Sequence, residues 1–156
     1  MSETRVSRLP WPPLIYMAGI AVSILLHFYY PLPWFSSPLA DILFAAGWLA
    51  LLAVAALFFT SIRTMARAKT TLNPNAVPDH LVTSGPFSFT RNPMYLGMAS
   101  LYAGLAFIAN SPVALILLPV VLLIVQTQVI AREERYLAAK FGESYLDYKR
   151  RVRRWL

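Results

Sequence analysis

The stretch Leu39–Ile62, LADILFAAGWLALLAVAALFFTSI, decides the fold class of this chain. It is apolar almost throughout, and its single charged residue, Asp41, stands near its start. The hydrocarbon core of a bilayer is roughly 30 Å thick, so a helix rising about 1.5 Å per residue needs about 20 apolar residues to cross it. The stretch is therefore predicted to be a transmembrane helix.

Three further apolar runs lie on either side of it, and together the four runs predict helices over residues of about 14–30, 39–62, 94–109 and 113–131. The first and third are short for a membrane span, so terminal aromatic residues or local thinning of the bilayer must help them. Of all residues, 58% are hydrophobic and 13% are charged, which indicates a membrane protein rather than a soluble one. We predict an all-α integral membrane protein with four transmembrane helices, forming a single domain over 1–156.

The basic residues are distributed asymmetrically along the chain. All 14 Lys and Arg residues precede the first run, lie between the second and third, or follow the fourth. The links at 31–38 and 110–112 contain none, which is the positive-inside pattern with both termini in the cytoplasm. The net charge of +7 therefore reflects membrane topology, and its division among three segments argues against nucleic-acid binding.

A cytoplasmic loop of about 63–93 separates the second and third helices, and its most densely patterned part is Asp79–Gly97, DHLVTSGPFSFTRNPMYLG, which runs into the third helix. We call this stretch the first motif. The pair Asn92-Pro93 is typical of a helix start. The break at 110–112, Asn-Ser-Pro, predicts an antiparallel hairpin of the third and fourth helices. Small residues such as Gly97 and Gly104 are expected to permit close packing of helices.

The segment 132–156 is predicted to form amphipathic helices that are interrupted at Gly142. An apolar stripe recurs there at helical spacing, and basic residues occupy the remaining surface. We expect this helix to lie on an anionic inner leaflet, with a solvated basic tail as the alternative. The stripe consists of Tyr145, Tyr148, Val152 and Trp155.

Short links bring the polar ends of the helices to one side of the membrane, where their side chains can form a site of mixed charge for a zwitterionic ligand. Arg91 and the amino end of the third helix favour a ligand carboxylate. Phe87, Phe89 and Tyr95 can pack on a purine or face a cation. The polar candidates are Asp79, His80, Arg91, Asn92, Tyr95, Arg132, Glu133 and Glu134.

Neighbouring residues of a helix point about 100° apart, so Glu133 and Glu134 cannot face a pocket equally. One of them is expected to point inward, and the other to pair with Arg132 or Arg135. Purely structural roles are also open: Asn92 as a helix cap, Tyr95 as an interfacial anchor, and Glu133 as a surface ion-pair partner.

Two motifs resemble those of the isoprenylcysteine carboxyl methyltransferase family, which includes phospholipid methyltransferase relatives. The first motif contains GPFSFTRNPMYLG at 85–97, and the second motif, at 132–152, is REERYLAAKFGESYLDYKRRV. The resemblance covers about 81–156, and it implies a membrane-embedded enzyme that uses S-adenosylmethionine as cofactor. It further implies methyl transfer to a lipophilic or small acceptor with a carboxylate, thiol or amine.

Carried over position by position, the resemblance implies two sets of site residues. The catalytic set is Arg91, Asn92, Tyr95 and Glu133. The cofactor-binding set is Asp79, His80, Leu81, Val82, Gly85, Phe87, Asn92, Pro93, Met94, Tyr95, Arg132 and Glu133.

The chain also departs from the eukaryotic members. Asn92 stands where they have a histidine, Phe87 replaces a more usual tyrosine, and Val129 replaces a substrate-contacting arginine. The chain thus looks more like small bacterial members, which predicts the bacterial inner membrane as its location and membrane lipids as its surroundings.

Two other functions are compatible with the sequence. One is an NADPH-dependent membrane reductase related to sterol reductases, although no dinucleotide glycine motif is present. The other is a non-catalytic membrane helix bundle. No metal is expected, because the chain has no cysteine and its two histidines are far apart.

Overall fold

The computed structural model describes residues 12–30, 32, 34–70, 78 and 80–156. Within these ranges the chain is helical and contains no strand, as predicted. A 3₁₀ turn lies at Gly85–Ser88, and a π-helical turn at Val125–Ile130 joins α4 to α5. The helices are α1 (Pro12–Tyr29), α2 (Leu39–Arg67), α3 (Pro93–Ile108), α4 (Pro112–Ile124), α5 (Ala131–Phe141) and α6 (Glu143–Arg151).

Three helical segments are long and apolar enough to cross a membrane: α1, α2 and the continuous run from Pro112 to Phe141. The fourth apolar helix, α3, has 16 residues, which gives it a length of about 24 Å at 1.5 Å per residue. Many large apolar side chains of α1, α2 and α4 are exposed on the outside of the bundle, as expected where lipid is the solvent. The chain is therefore an integral membrane protein, and the part that the structure describes contains three candidate spans and a shorter apolar helix.

The most extensive contact between two helices among the described residues joins α2 to α3, and glycines permit it. A Cβ atom built on Gly47 would lie 2.7 Å from the carbonyl oxygen of Gly104. Next along the interface, a Cβ on Gly97 would lie 3.1 Å from the ring of Phe58. The expected role of Gly97 and Gly104 in close packing is confirmed.

Helix α1 packs on α4, and its Tyr16 contacts the first turn of α3. The hydroxyl of Tyr16 donates a hydrogen bond of 3.2 Å to the carbonyl oxygen of Tyr95. The core around these residues combines small side chains of α3 with branched ones of α4 and the π-helical turn. Its buried members are Tyr16, Tyr95, Ala99, Tyr102, Ala106, Ala114, Val121, Val125, Val129 and Ile130.

The ends of the helices do not all coincide with the ends of the apolar runs. The hydroxyl of Ser111 accepts a hydrogen bond from the Ala114 amide and caps α4, which confirms the hairpin of α3 and α4. Helix α2 continues through Arg63 to Arg67, beyond the predicted end near 62, because arginine is a good helix former. The fourth helix likewise continues past 131 into α5, so the second motif begins inside a long helix.

Gly142, with φ of +54°, separates α5 from α6, as the sequence predicted. Two residues of the predicted apolar stripe face protein rather than the inner leaflet. The position of this segment on the leaflet stays a prediction. Tyr145 and Tyr148 are buried, and Tyr148 donates a hydrogen bond of 2.6 Å to the carbonyl oxygen of Phe87. The aromatic face of α6 is therefore covered by protein, and its charged face is exposed.

Candidate functional site

A cavity of about 100 Å³ lies at one end of the bundle, between the two motifs. The end of α2, the loop before α3, α5 and α6 all contribute to its wall. The residues around it are Met65, Thr70, Pro78, His80, Leu81, Val82, Phe87, Arg91, Asn92, Glu133, Glu134, Leu137, Tyr145 and Tyr148.

Glu134 is the electrostatic centre of this wall. Its side chain is 8% exposed and receives two hydrogen bonds from Arg154, at 2.8 Å from Nε and 2.7 Å from Nη2. Arg91, also 8% exposed, lies 3.1 Å away, and Lys149 lies 3.8 Å away. A buried carboxylate requires such partners because its desolvation is costly. Three cations surround one anion, so the cluster carries a net positive charge.

Glu133 has a different environment from its neighbour. It is accessible, and its Oε2 accepts a hydrogen bond of 2.8 Å from the hydroxyl of Tyr95. Tyr95 itself is buried in the core, so its hydroxyl is a fixed donor. Both glutamates lie on the cavity wall. The Glu133 carboxylate accepts a hydrogen bond from Tyr95 and makes no ion pair with the described residues, whereas the Glu134 carboxylate is held in ion pairs with three basic residues. Neither pairs with Arg132 or Arg135 in the structure, contrary to the expectation.

The amino end of α3 is held by residues that follow α6. The carboxyl-terminal strap, defined as residues 153–156, leaves the helix and passes beside the first motif. Asn92 occupies the N-cap position, but its side chain makes no capping bond. Its Nδ2 instead donates a hydrogen bond of 2.9 Å to the carbonyl oxygen of Arg154. The interpretation of Asn92 as a side-chain cap is therefore wrong.

Burial and charge both act on the ionisable groups of α6 and the strap. Burial raises the pKa of the Tyr148 hydroxyl, which stays protonated and donates to Phe87. Burial and then the charge of Glu134 raise the pKa of Tyr145. The hydrogen bonds to Glu134 raise the pKa of the Arg154 guanidinium. These groups are fixed donors and charges at neutral pH.

Two polar atoms of the cavity residues are buried and have no hydrogen-bond partner among the described residues. They are Nε of Arg91 and Oγ1 of Thr70. Buried polar groups in proteins are nearly always satisfied, so such atoms are candidates for ligand contacts. Apolar side chains of Leu81, Val82 and Leu137 complete the wall.

The structure brings together seven of the predicted site residues at the cavity: His80, Leu81, Val82, Phe87, Arg91, Asn92 and Glu133. Tyr95 reaches it through Glu133. The remaining described candidates do not line it. Gly85 packs against Thr64, Pro93 is buried at the start of α3, Met94 is partly buried in its first turn, and Arg132 is exposed and bonds Gln128. Asp79 lies outside the described residues.

Several residues of the site were not predicted. The apolar stripe in the sequence indicated that Tyr145 and Tyr148 face a nonpolar environment, but it predicted a membrane surface and not the cavity. Thr70 and Met65 had none, because the end of α2 meets the site only through tertiary packing. In the part of the chain that the structure describes, no three His, Asp or Glu residues form a group that could hold a metal.

The sequence model of a family described as phospholipid methyltransferase matches residues 42–144, more than half of the chain. The chain belongs to this family. The match begins within α2 and ends at the start of α6, so it includes both glutamates of the site.

Two curated relatives extend the comparison. Protein-S-isoprenylcysteine O-methyltransferase of Schizosaccharomyces pombe is 36% identical over 75 residues, which are 47% of this chain and 32% of that protein. An uncharacterized protein of Haemophilus influenzae is 47% identical over 64 residues, 40% of this chain and all of that protein. This chain thus matches only about a third of the yeast enzyme's length. No solved structure matches. Membership of this family and the apolar helices of the chain point to a membrane methyltransferase.

Proposed function

We propose that this protein uses S-adenosylmethionine to methylate a lipophilic or small acceptor that carries a carboxylate, thiol or amine. The hydrogen bond from Tyr95 to Glu133 carries the proposal, because it joins the two motifs at the cavity wall. Membership of the phospholipid methyltransferase family supports the reaction class. The yeast relative, named for methylation of isoprenylcysteine, supports a lipophilic acceptor.

The groups on the cavity wall fit the chemistry of this cofactor. The carboxylate of Glu133 on the cavity wall suits the cationic part of the cofactor, and the unpartnered Nε–H of Arg91 suits the carboxylate of the cofactor. The side chains of Leu81, Val82 and Leu137 offer an apolar surface to the adenine ring. The cavity of about 100 Å³ is small beside the roughly 300–1,000 Å³ of typical ligand sites. Binding of S-adenosylmethionine therefore requires side chains of the cavity wall to move apart.

S-adenosylmethionine supplies a methyl group that its sulfonium already activates, so transfer depends mainly on alignment with the acceptor. The rigid pair of Tyr95 and Glu133 provides one fixed reference for that alignment. A thiolate or carboxylate acceptor needs no base. An amine acceptor releases a proton on methylation, and the carboxylate of Glu133 on the cavity wall can accept it.

The proposed setting is the bacterial inner membrane, with four transmembrane helices and both termini in the cytoplasm. Helix α3 spans as the fourth helix if the bilayer thins locally or the flanking loops enter the interface. The site then lies at the cytoplasmic face, beside Arg91, Lys149 and Arg154, in agreement with the positive-inside rule. The cofactor enters from the cytosol and a lipophilic acceptor from the bilayer.

Calorimetric titration of the detergent-solubilised protein with S-adenosylmethionine tests the function. We expect saturable binding that weakens by about 1–3 kcal/mol in Glu133→Gln, because the charged acceptor is lost. Glu143→Gln is the matched control, since Glu143 is 82% exposed and remote from the cavity wall. A folded protein that binds NADPH and not S-adenosylmethionine would indicate the reductase. Binding of neither would leave the non-catalytic bundle.

A further inference from the structure

The carboxyl-terminal strap is bonded to the first motif through its backbone. The carbonyl oxygen of Arg153 accepts a hydrogen bond of 2.9 Å from the Arg91 amide. The carbonyl oxygen of Arg154 accepts two more, of 3.2 Å from Oγ1 of Thr90 and 2.9 Å from Nδ2 of Asn92. Two carbonyl groups of the strap thus hold the three residues that immediately precede α3, which are Thr90, Arg91 and Asn92.

Side chains of the strap are bonded to the second motif and to the π-helical turn before it. Arg154 makes its two parallel hydrogen bonds to Glu134, the residue next to Glu133. Trp155 Nε1 donates a hydrogen bond of 2.9 Å to Oε1 of Gln126 in the π-helical turn. Such turns are often found at functional sites. The strap therefore spans both segments that carry the proposed site.

An asparagine amide has a donor end and an acceptor end. The nitrogen of Asn92 faces a carbonyl oxygen, which can only accept, so this contact fixes the orientation of the amide. The oxygen of Asn92 is consequently the atom left for a ligand, and Asn92 belongs to the cavity wall. Together with Glu133, it gives the wall two hydrogen-bond acceptors of the kind that recognise an ammonium or amino group.

We propose that Arg154 is a positioning residue, which fastens the strap over the start of α3 and keeps the acceptor end of Asn92 available to the ligand. This inference rests on the proposed function for the identity of the ligand. The fastening itself does not depend on any ligand. Arg154 is suited to the task because the guanidinium fork matches a carboxylate at two points, which lysine cannot do.

The test uses a full-length protein in which Trp11, Trp34 and Trp48 are replaced by phenylalanine, so that the emission of Trp155 reports whether the strap is docked. Arg154→Gln and Arg154→Lys are compared with Arg153→Gln and Arg153→Lys. Arg153 is the matched control because it is the adjacent residue of the strap and is exposed. Each variant is titrated with S-adenosylmethionine, and circular dichroism verifies its helix content.

We expect Arg154→Gln to shift the Trp155 emission to longer wavelength and to weaken binding about tenfold. Arg154→Lys should weaken it less, and both Arg153 variants should behave as the parent. In a further variant, Arg154→Ala, added methylguanidinium should restore affinity for S-adenosylmethionine, because it replaces the missing guanidinium. Parent-like affinity of a folded Arg154→Gln, or equal losses at Arg153 and Arg154, would overturn the inference.

The two proposals fail in different ways. Absence of S-adenosylmethionine binding in the parent overturns the proposed function. It also overturns the role of Asn92 as a hydrogen-bond acceptor for that ligand. An emission shift of Arg154→Gln in that same protein still supports the fastening of the strap. An unchanged emission refutes the fastening whatever the parent binds.

Discussion

The phenolic oxygen of Tyr95 in α3 lies 2.8 Å from Oε2 of Glu133 in α5, and it donates a hydrogen bond to that carboxylate. Tyr95 is 8% exposed and is held from behind by Tyr16, which donates to its carbonyl oxygen. The donor is therefore part of the rigid bundle, whereas its acceptor faces the cavity. This arrangement fixes one carboxylate oxygen and leaves the other for a ligand.

Replacing Tyr95 by phenylalanine removes this bond without a loss of ring volume. We expect the affinity for S-adenosylmethionine to fall by about 0.5–1.5 kcal/mol, the usual net value of a hydrogen bond, because Glu133 loses its fixed position. Tyr102→Phe is the control, since its hydroxyl bonds Gly19 within the bundle. Calorimetry on both variants checks the prediction, and equal losses in the two would refute it.

Glu134 is expected to affect stability more than binding. Glu134→Gln leaves Arg91 and Arg154 without their common anion, and breaking a buried ion pair costs about 3–5 kcal/mol. We expect about 3 kcal/mol in the free energy of unfolding, the lower end of that range, because Arg154 is 32% exposed. Denaturant titration in mixed micelles measures this loss.

Two further variants make the Glu134 prediction specific. Glu143→Gln should change the free energy of unfolding by no more than about 0.5 kcal/mol, since Glu143 is a surface residue. The double variant Glu134→Gln, Arg154→Gln should lose less than the sum of the single losses. Additive losses would show that the two residues do not interact.

The contact of α2 with α3 should be sensitive to a single methyl group. Gly47→Ala would place a Cβ 2.7 Å from the backbone oxygen of Gly104, so the two helices must separate. We expect a loss of about 1–3 kcal/mol, typical of overpacking. The control is Ala53→Val, at an exposed position of the same helix next to the buried Val54. It should have little effect on stability. Thermal unfolding in detergent compares the two, and a stable Gly47→Ala would contradict the close packing.

Local patterns in the sequence predicted much of the fold. The apolar run at 39–62 gave α2, the Asn-Ser-Pro break gave the capped hairpin at Ser111, and Gly142 gave the separation of α5 from α6. Each of these features depends on residues within one or two turns of helix. The π-helical turn at 125–130 has no such local signal, and the sequence did not predict it.

The site was predicted only as far as its residues belong to motifs. Spacing established that Glu133 and Glu134 point in different directions, but not which of the two is held in ion pairs. That choice depends on Arg154, twenty positions away, which binds Glu134 through the strap. The stripe of Tyr145 and Tyr148 likewise revealed an apolar face without identifying what covers it. An apolar face meets lipid or protein equally well, so only tertiary structure distinguishes them.

The absence of cysteine from the sequence permits a direct test of the proposed topology. Single cysteines introduced as Lys140→Cys at the site end and Tyr29→Cys at the opposite end of α1 both replace exposed residues. In intact bacterial cells expressing the protein, a membrane-impermeant maleimide should label only position 29, because position 140 is proposed to face the cytoplasm. After lysis both should react. Labelling of position 140 in intact cells would place the site outside and would contradict the supply of cofactor from the cytosol.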